Sequence, residues 1–225
     1  MRVDERHGTG AGRRAAGIVF DNDGLLLDTE PCWTRAQEAV FKRHGEIFDL
    51  EAKHALVGTA PTTAPRVLER LLPGRGEEAS AEMYDLALEE IAAGVEPRPG
   101  AVDLIDRVRG RWPLAVASNA PRGHLLTGLS RVGLVDVFDV KLGIEDVGTP
   151  KPAPDLYLHA CELLGVDPAR SVALEDSPPG VSAARAAGLL VLGIPSVAGV
   201  TLEADHVLRS LADPGVLRVI ERALT

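Results

Sequence analysis

The chain has only two cysteines, Cys32 and Cys161, far apart in its 225 residues. Neither belongs to a Cys-x-x-Cys element and no histidine pair stands at ligand spacing, which argues against a disulfide framework or a zinc centre. Long apolar runs are lacking too: none approaches the ~20 residues a membrane-spanning helix needs. Basic residues are in deficit, 24 against 33 acidic, for a formal charge of −9. A nucleic-acid partner demands a basic face, so none is expected. An anionic small molecule stays open, because the local field rather than net charge decides its binding. Met1 to Gly17 has no apolar signal stretch; residues 1–14 read as a flexible tail, and the protein as cytoplasmic. There is no internal repeat and no low-complexity tract. What is present is 45 % hydrophobic content, enough to bury an ordinary core.

The apolar residues are distributed in two ways. Ala16 to Phe20 is a continuous β-branched run that ends in Asp21, the signature of a buried parallel strand. Leu114 to Ala117, Val172 to Leu174 and Leu189 to Ile194 repeat the pattern. Helical segments beginning near proline follow, at Pro121 to Val132, Pro152 to Leu164 and Pro179 to Ala187, with Gly133, Gly165 and Gly188 at their ends. Alternating strands and helices predict an α/β fold, a Rossmann-like parallel sheet with helices on both faces. Between the first two strands the period changes. Trp33, Ala36, Val40 and Phe41, then Met83, Leu86, Ala87 and Ile91, recur at helical spacing with no strand between them. Val95 to Gly100, rich in proline, reads as a hinge back to the core. The expected division is a core of 15–31 and 99–225 with a small all-helical domain, 32–98, inserted after the first strand.

Asp21-Asn22-Asp23-Gly24 follows the first strand directly. Ligands of open parallel sheets gather at the carboxyl ends of strands, so these acids face the expected site. One carboxylate can attack phosphorus while the other moves a proton to or from the leaving oxygen. Their charge would repel a phosphate unless a hard cation intervenes, most simply Mg2+. Three later segments carry matching chemistry. Ser118-Asn119 offers a hydroxyl, an amide and nearby N–H groups for phosphate oxygens. Lys151, between Pro150 and Pro152, is a rigidly presented cation, which a transferring phosphoryl group needs. Glu175-Asp176-Ser177 closes a buried strand with paired acids, and either Asp176 or Ser177 also suits a helix cap.

Ile18 to Glu30, with its Asp-x-Asp-Gly and Asp28-Thr29, resembles the first motif of the haloacid dehalogenase-like superfamily; Asn22 departs from the apolar residue usual there. Ala115 to Ala120, Thr149 to Asp155 and Val172 to Ser177 are similar to its second, third and fourth motifs, in family order. The resemblance implies that Asp21 forms an aspartyl-phosphate and that Asp23 is the general acid and base. It implies that Ser118, with Asn119 beside it, binds phosphate and that Lys151 contacts both Asp21 and phosphate. It further implies that Mg2+ is held by the Asp21 carboxylate, the Asp23 main-chain carbonyl and Asp176, with Glu175 in support. The inserted helices become a cap that hinges near Cys32 and near Glu96 to Gly100.

The resulting expectation is a phosphatase acting on a small phosphorylated metabolite, as monomer or small homo-oligomer. Glu30 to Trp33 is similar to the start of the cap in sugar- and hexitol-phosphate phosphatases, which makes a sugar or polyol phosphate the leading substrate and Trp33 a pocket wall. A β-phosphoglucomutase-like phosphomutase has the same layout. However, Leu56 to Thr62 carries no cation for a second phosphate, and Trp33 stands where the mutases carry histidine. A non-catalytic phosphate sensor on the same fold is the other alternative, though Asp21, Asp23 and Lys151 are all retained. The six histidines fit no role, and Arg35, Lys42, Arg66 and Arg98 are cations that could reach the cleft.

Overall fold

A computed structural model describes residues 15–56, 59–197 and 199–225. The expected tail at 1–14, and Val57 and Gly58 of the loop after Leu56, lie outside the described residues. Six parallel strands form one sheet: β1 (Ile18–Phe20), β2 (Leu114–Ala117), β3 (Val140–Leu142), β4 (Val172–Glu175), β5 (Leu190–Gly193) and β6 (His206–Val207). Their order is β3-β2-β1-β4-β5-β6. β1 is central, pairing through Val19 with Ala115 on one side and Ala173 on the other. That position explains its unbroken apolar sequence, since alternate residues enter hydrophobic layers on opposite faces.

Ile18 and Phe20 join α5 (Ala101–Val108), α6 (Arg122–Arg131) and α9 (Pro214–Leu224) on one face. Val19 joins α7 (Asp155–Leu164) and α8 (Pro178–Ala186) on the other. The sequence reading started α7 at Pro152; the helix begins only after Pro154, because the Pro150–Pro154 stretch forms turns first. β3 and β6 were not foreseen. β3 is a partly exposed edge-side segment and β6 an exposed pair of residues, so neither carries the buried run that marks the inner strands.

The segment between β1 and β2 holds α1 (Glu30–Arg43), α2 (Leu50–Leu56), α3 (Ala64–Leu71) and α4 (Gly76–Ala93) ahead of α5. Val40, Phe41, Leu56, Leu68 and Met83 give these helices a hydrophobic cluster of their own. The two chain crossings joining them to the sheet run side by side. The Asp28 N–H donates to the Glu96 carbonyl (2.9 Å) and the Arg98 N–H to the Leu26 carbonyl (2.8 Å). An ion pair between Arg98 and Asp28 (3.3 Å) reinforces them.

Candidate active site

The carboxyl ends of β1, β2 and β4 converge on a cavity of about 270 Å³, closed from above by α1 and α4. Asp21 leaves β1 with its N–H bound to the Leu174 carbonyl of β4 (3.0 Å), so its backbone is an extension of the sheet. The chain then turns at Gly24, whose φ of 86° is the left-handed region that glycine favours. A Cβ there would run into the Asp176 carboxylate, so the turn and the approach of the two acids require the same residue.

Lys151 organises the floor. Its ammonium donates to Asp21 Oδ1 (2.6 Å), Glu175 Oε1 (2.6 Å) and the Ala117 carbonyl (2.9 Å), which accounts for its three N–H bonds. Burial opposes its charge, but Asp21 and Glu175 beside it overcome that and hold its pKa above the ordinary lysine value. Glu175 is fully buried. Its Oε1 also accepts from the Tyr157 hydroxyl (2.6 Å), while Oε2 accepts from the N–H groups of Asp176 (3.1 Å) and Ser177 (3.4 Å) and from the Ser177 hydroxyl (3.2 Å). Gly180, in the first turn of α8, leaves the space that this carboxylate fills.

The other acids are less fully engaged. Asp21 keeps Oδ2 and Asp176 keeps Oδ1 without a hydrogen-bond partner among the described residues; Asp176 Oδ2 accepts from the Ser196 hydroxyl. Burial, aided by Glu175 and Asp176 and countered by Lys151, holds the Asp21 carboxyl well above the usual range. Burial and the Glu175 charge push Asp176 up to about 7, against the opposing pull of Ser196 and Lys151. Asp21, Glu175 and Asp176 can each bring an oxygen within 4.8 Å of the others. Crowded hard oxygens in a site that disfavours their ionisation fit a divalent cation such as Mg2+. The free oxygens of Asp21 and Asp176 are suited to direct contact. Both Glu175 oxygens are committed to protein donors, so Glu175 suits a supporting place.

Asp23 faces the cavity with Oδ2 accepting from the Ser118 hydroxyl (2.8 Å), and the Ser118 oxygen in turn accepts from the Ala120 N–H (2.9 Å). In this arrangement Ser118 orients Asp23. The Asn119 side chain is likewise committed, accepting from the Lys151 N–H (2.9 Å) and donating to its carbonyl (3.3 Å); it fixes the loop that carries the ammonium. The main-chain N–H groups of Asp23 and Asn119 carry no hydrogen bond among the described residues and can serve an anion.

Trp33 lines the roof. Its ring is stacked on His124 of α6 at 5.6 Å and meets the edge of Tyr84 at 5.2 Å. Of the cations that could reach the cleft, Arg98 lines the cavity, whereas Arg35 is paired with Glu90 on the outside. Four residues that line the cavity or brace its walls were missed in the sequence. Tyr157 sits in the apolar stripe of α7, where a buried tyrosine needs a partner for its hydroxyl and thus carried a signal. Ser196 follows β5 at the ligand-bearing end of the sheet. His124 and Gln37, on α6 and α1, gave none.

A family model described as haloacid dehalogenase-like hydrolase matches residues 15–188. Fructose-1-phosphate phosphatase of Escherichia coli (strain K12) is 34 % identical over 183 residues, 78 % of this chain and 94 % of that protein. Validoxylamine A 7'-phosphate phosphatase of Streptomyces hygroscopicus subsp. limoneus is 30 % identical over 200 residues, 87 % of this chain and 93 % of that protein. Among solved structures, CbbY from Rhodobacter sphaeroides in complex with phosphate superposes with a TM-score of 0.78 at 30 % identity, covering 89 % of this chain and 96 % of that one. With its sheet order, its four motifs and these relatives in agreement, the chain belongs to the haloacid dehalogenase-like hydrolase family and is an enzyme of that family.

Proposed function

We propose that this protein is a Mg2+-dependent phosphatase that hydrolyses a small phosphorylated metabolite, a sugar or polyol phosphate, through an aspartyl-phosphate on Asp21. The observation that carries this reading is the buried Lys151–Asp21 contact (2.6 Å) at the floor of a cavity that also contains the Ser118–Asp23 pair. The names of the phosphatase relatives support the substrate class.

In this reading Asp21 attacks phosphorus, the bond to the leaving oxygen breaks, and Asp23 gives that oxygen its proton. Asp23 then takes a proton from water, which attacks the phosphorus of the aspartyl-phosphate and regenerates Asp21. Lys151 favours the ionised form of Asp21 against the effect of burial and aims its carboxylate. Ser118 holds Asp23 toward the leaving group, and the N–H groups of Asp23 and Asn119 receive phosphate oxygens. Asp21, Asp176 and the Asp23 carbonyl would hold Mg2+, with Glu175 bracing the cluster. Bound Mg2+ supplies positive charge between the acids and the phosphate. Residues 32–98 act as the cap, moving about the paired crossings near Cys32 and near Glu96 to Gly100 and excluding bulk water when closed.

The test is phosphate release from sugar, polyol, nucleotide and glycolate phosphates, with Mg2+ and with chelator. Release is expected to need Mg2+ and to favour hydroxylated substrates. Asp21→Asn is expected to lower turnover by on the order of 10⁴-fold or more. Near-normal turnover by that variant would remove Asp21 from the reaction.

A further inference from the structure

The roof of the cavity contains a polar side chain that the chemistry above does not use. Gln37 lies on α1, one turn beyond Trp33, and lines the cavity while only 7 % exposed. Its amide makes no hydrogen bond with any of the described residues. A buried amide left in this way is unfavourable unless the space it faces supplies a partner. A primary amide has both an accepting oxygen and a donating NH2, and a hydroxyl group, which donates and accepts, matches both.

The surroundings narrow the class of ligand. Among the described residues only two cations line the cavity, Lys151 and Arg98, and both are already paired, with Asp21 and Glu175 and with Asp28. Glu30 and Asp28 add negative charge on the same side as Gln37, balanced by Lys53 (3.1 Å) and Arg98. A second anionic group on the substrate would find no free cation there. Trp33 provides an apolar surface in a fixed position. His124 stacks on it with planes 5° apart and donates from Nε2 to the Tyr84 carbonyl (2.7 Å), so a side chain from the sheet domain sets the indole of α1. Leu56 and Met83 extend that surface. The volume of about 270 Å³ lies at the small end for ligand sites, which points to a compact substrate.

We propose that Gln37 is a specificity-determining residue that hydrogen-bonds a hydroxyl of a neutral, polyhydroxylated leaving group lying against Trp33. The proposal rests on the phosphatase reading and deepens it, by assigning one residue to the recognition of the leaving group. Sites that hydrogen-bond a substrate hydroxyl discriminate strongly against analogues without it.

Two measurements test it. The first compares kcat/KM for fructose 1-phosphate, which has hydroxyls, with that for p-nitrophenyl phosphate, which has none on its leaving group. Gln37→Met keeps the length and removes both polar atoms; it is expected to lower the ratio of the two values by about tenfold, the size of one lost hydrogen bond. A ratio within about twofold of wild type overturns the proposal, because a packing defect affects both substrates alike. The second uses Asp21→Asn protein, which binds without turning over, in a Trp112→Phe background where Trp33 is the remaining one of the chain's two tryptophans. Emission of Trp33 follows fructose 1-phosphate binding, and adding Gln37→Met is expected to raise Kd by about tenfold. If the wild type releases phosphate from neither substrate, the phosphatase reading fails and the binding measurement alone decides Gln37: an unchanged Kd overturns its role.

Discussion

The floor and the roof of the cavity are built on opposite principles. On the floor, Lys151, Glu175 and Tyr157 are fully buried or nearly so, and every N–H of the ammonium and both oxygens of Glu175 are engaged. On the roof, Trp33, Tyr84 and His124 are held by ring contacts and a few bonds to main-chain carbonyls, and Gln37 is held by none among the described residues. Charges brought out of water need all their partners or the structure pays heavily. Neutral rings and amides can be replaced one at a time. A conserved reaction with a changeable substrate is the expected product of that division.

The comparison is broken most severely by taking the cation from the floor. Lys151→Met leaves Asp21 and Glu175 buried without their counter-charge, and about 3–5 kcal/mol of stability should be lost in metal-free protein. Thermal unfolding checks this, and an unchanged midpoint would show that the network is not coupled to folding. Turnover should fall with it, by on the order of 10³-fold.

Acidity sharpens the comparison next, because the floor acids titrate far from their usual range. Asp176 is raised to about 7 in the fold from an ordinary 3.8, so between those values the folded state binds more protons than the unfolded chain. That stabilisation is full at low pH and is lost as pH rises toward 7, and the raised Asp21 acts in the same direction. Mg2+ must displace these protons, so its shift of the unfolding midpoint should grow from pH 5 to pH 8. A shift independent of pH would separate the acids from the metal.

The smallest effect comes from a defect beside the floor, at the residue between the two acids that follow β1. Asn22 is 2 % exposed and its Oδ1 is buried without a partner among the described residues. Asn22→Leu should raise stability by about 1–2 kcal/mol, read as a higher urea midpoint. A loss of that size would mean that the amide has a partner in solution.

The sequence was most legible where one residue type had to do one thing. Ile18 to Phe20 could only be an inner strand, and the acids and hydroxyl at strand ends, with the lysine between two prolines, were visible because burial forces charges into pairs. What stayed hidden was relational. Tyr157 looked like one more apolar position of α7 until its hydroxyl was seen on Glu175. Ser118 and Asn119 were found by residue type, but their partners, Asp23 and the Lys151 main chain, come from other strands and loops. His124 and Trp33 lie on separate units, and no local pattern predicts that they stack.

The paired crossings at Leu26 to Asp28 and Glu96 to Arg98 have a consequence for the history of such a chain. Because the polypeptide leaves the sheet and returns to it through one doorway, the helices between behave as a cassette. Their number, length and composition can drift without altering the spacing of the two ends that the sheet sees. A graft that keeps those few main-chain bonds would exchange the helical insertion whole and leave Asp21 and Lys151 where they are.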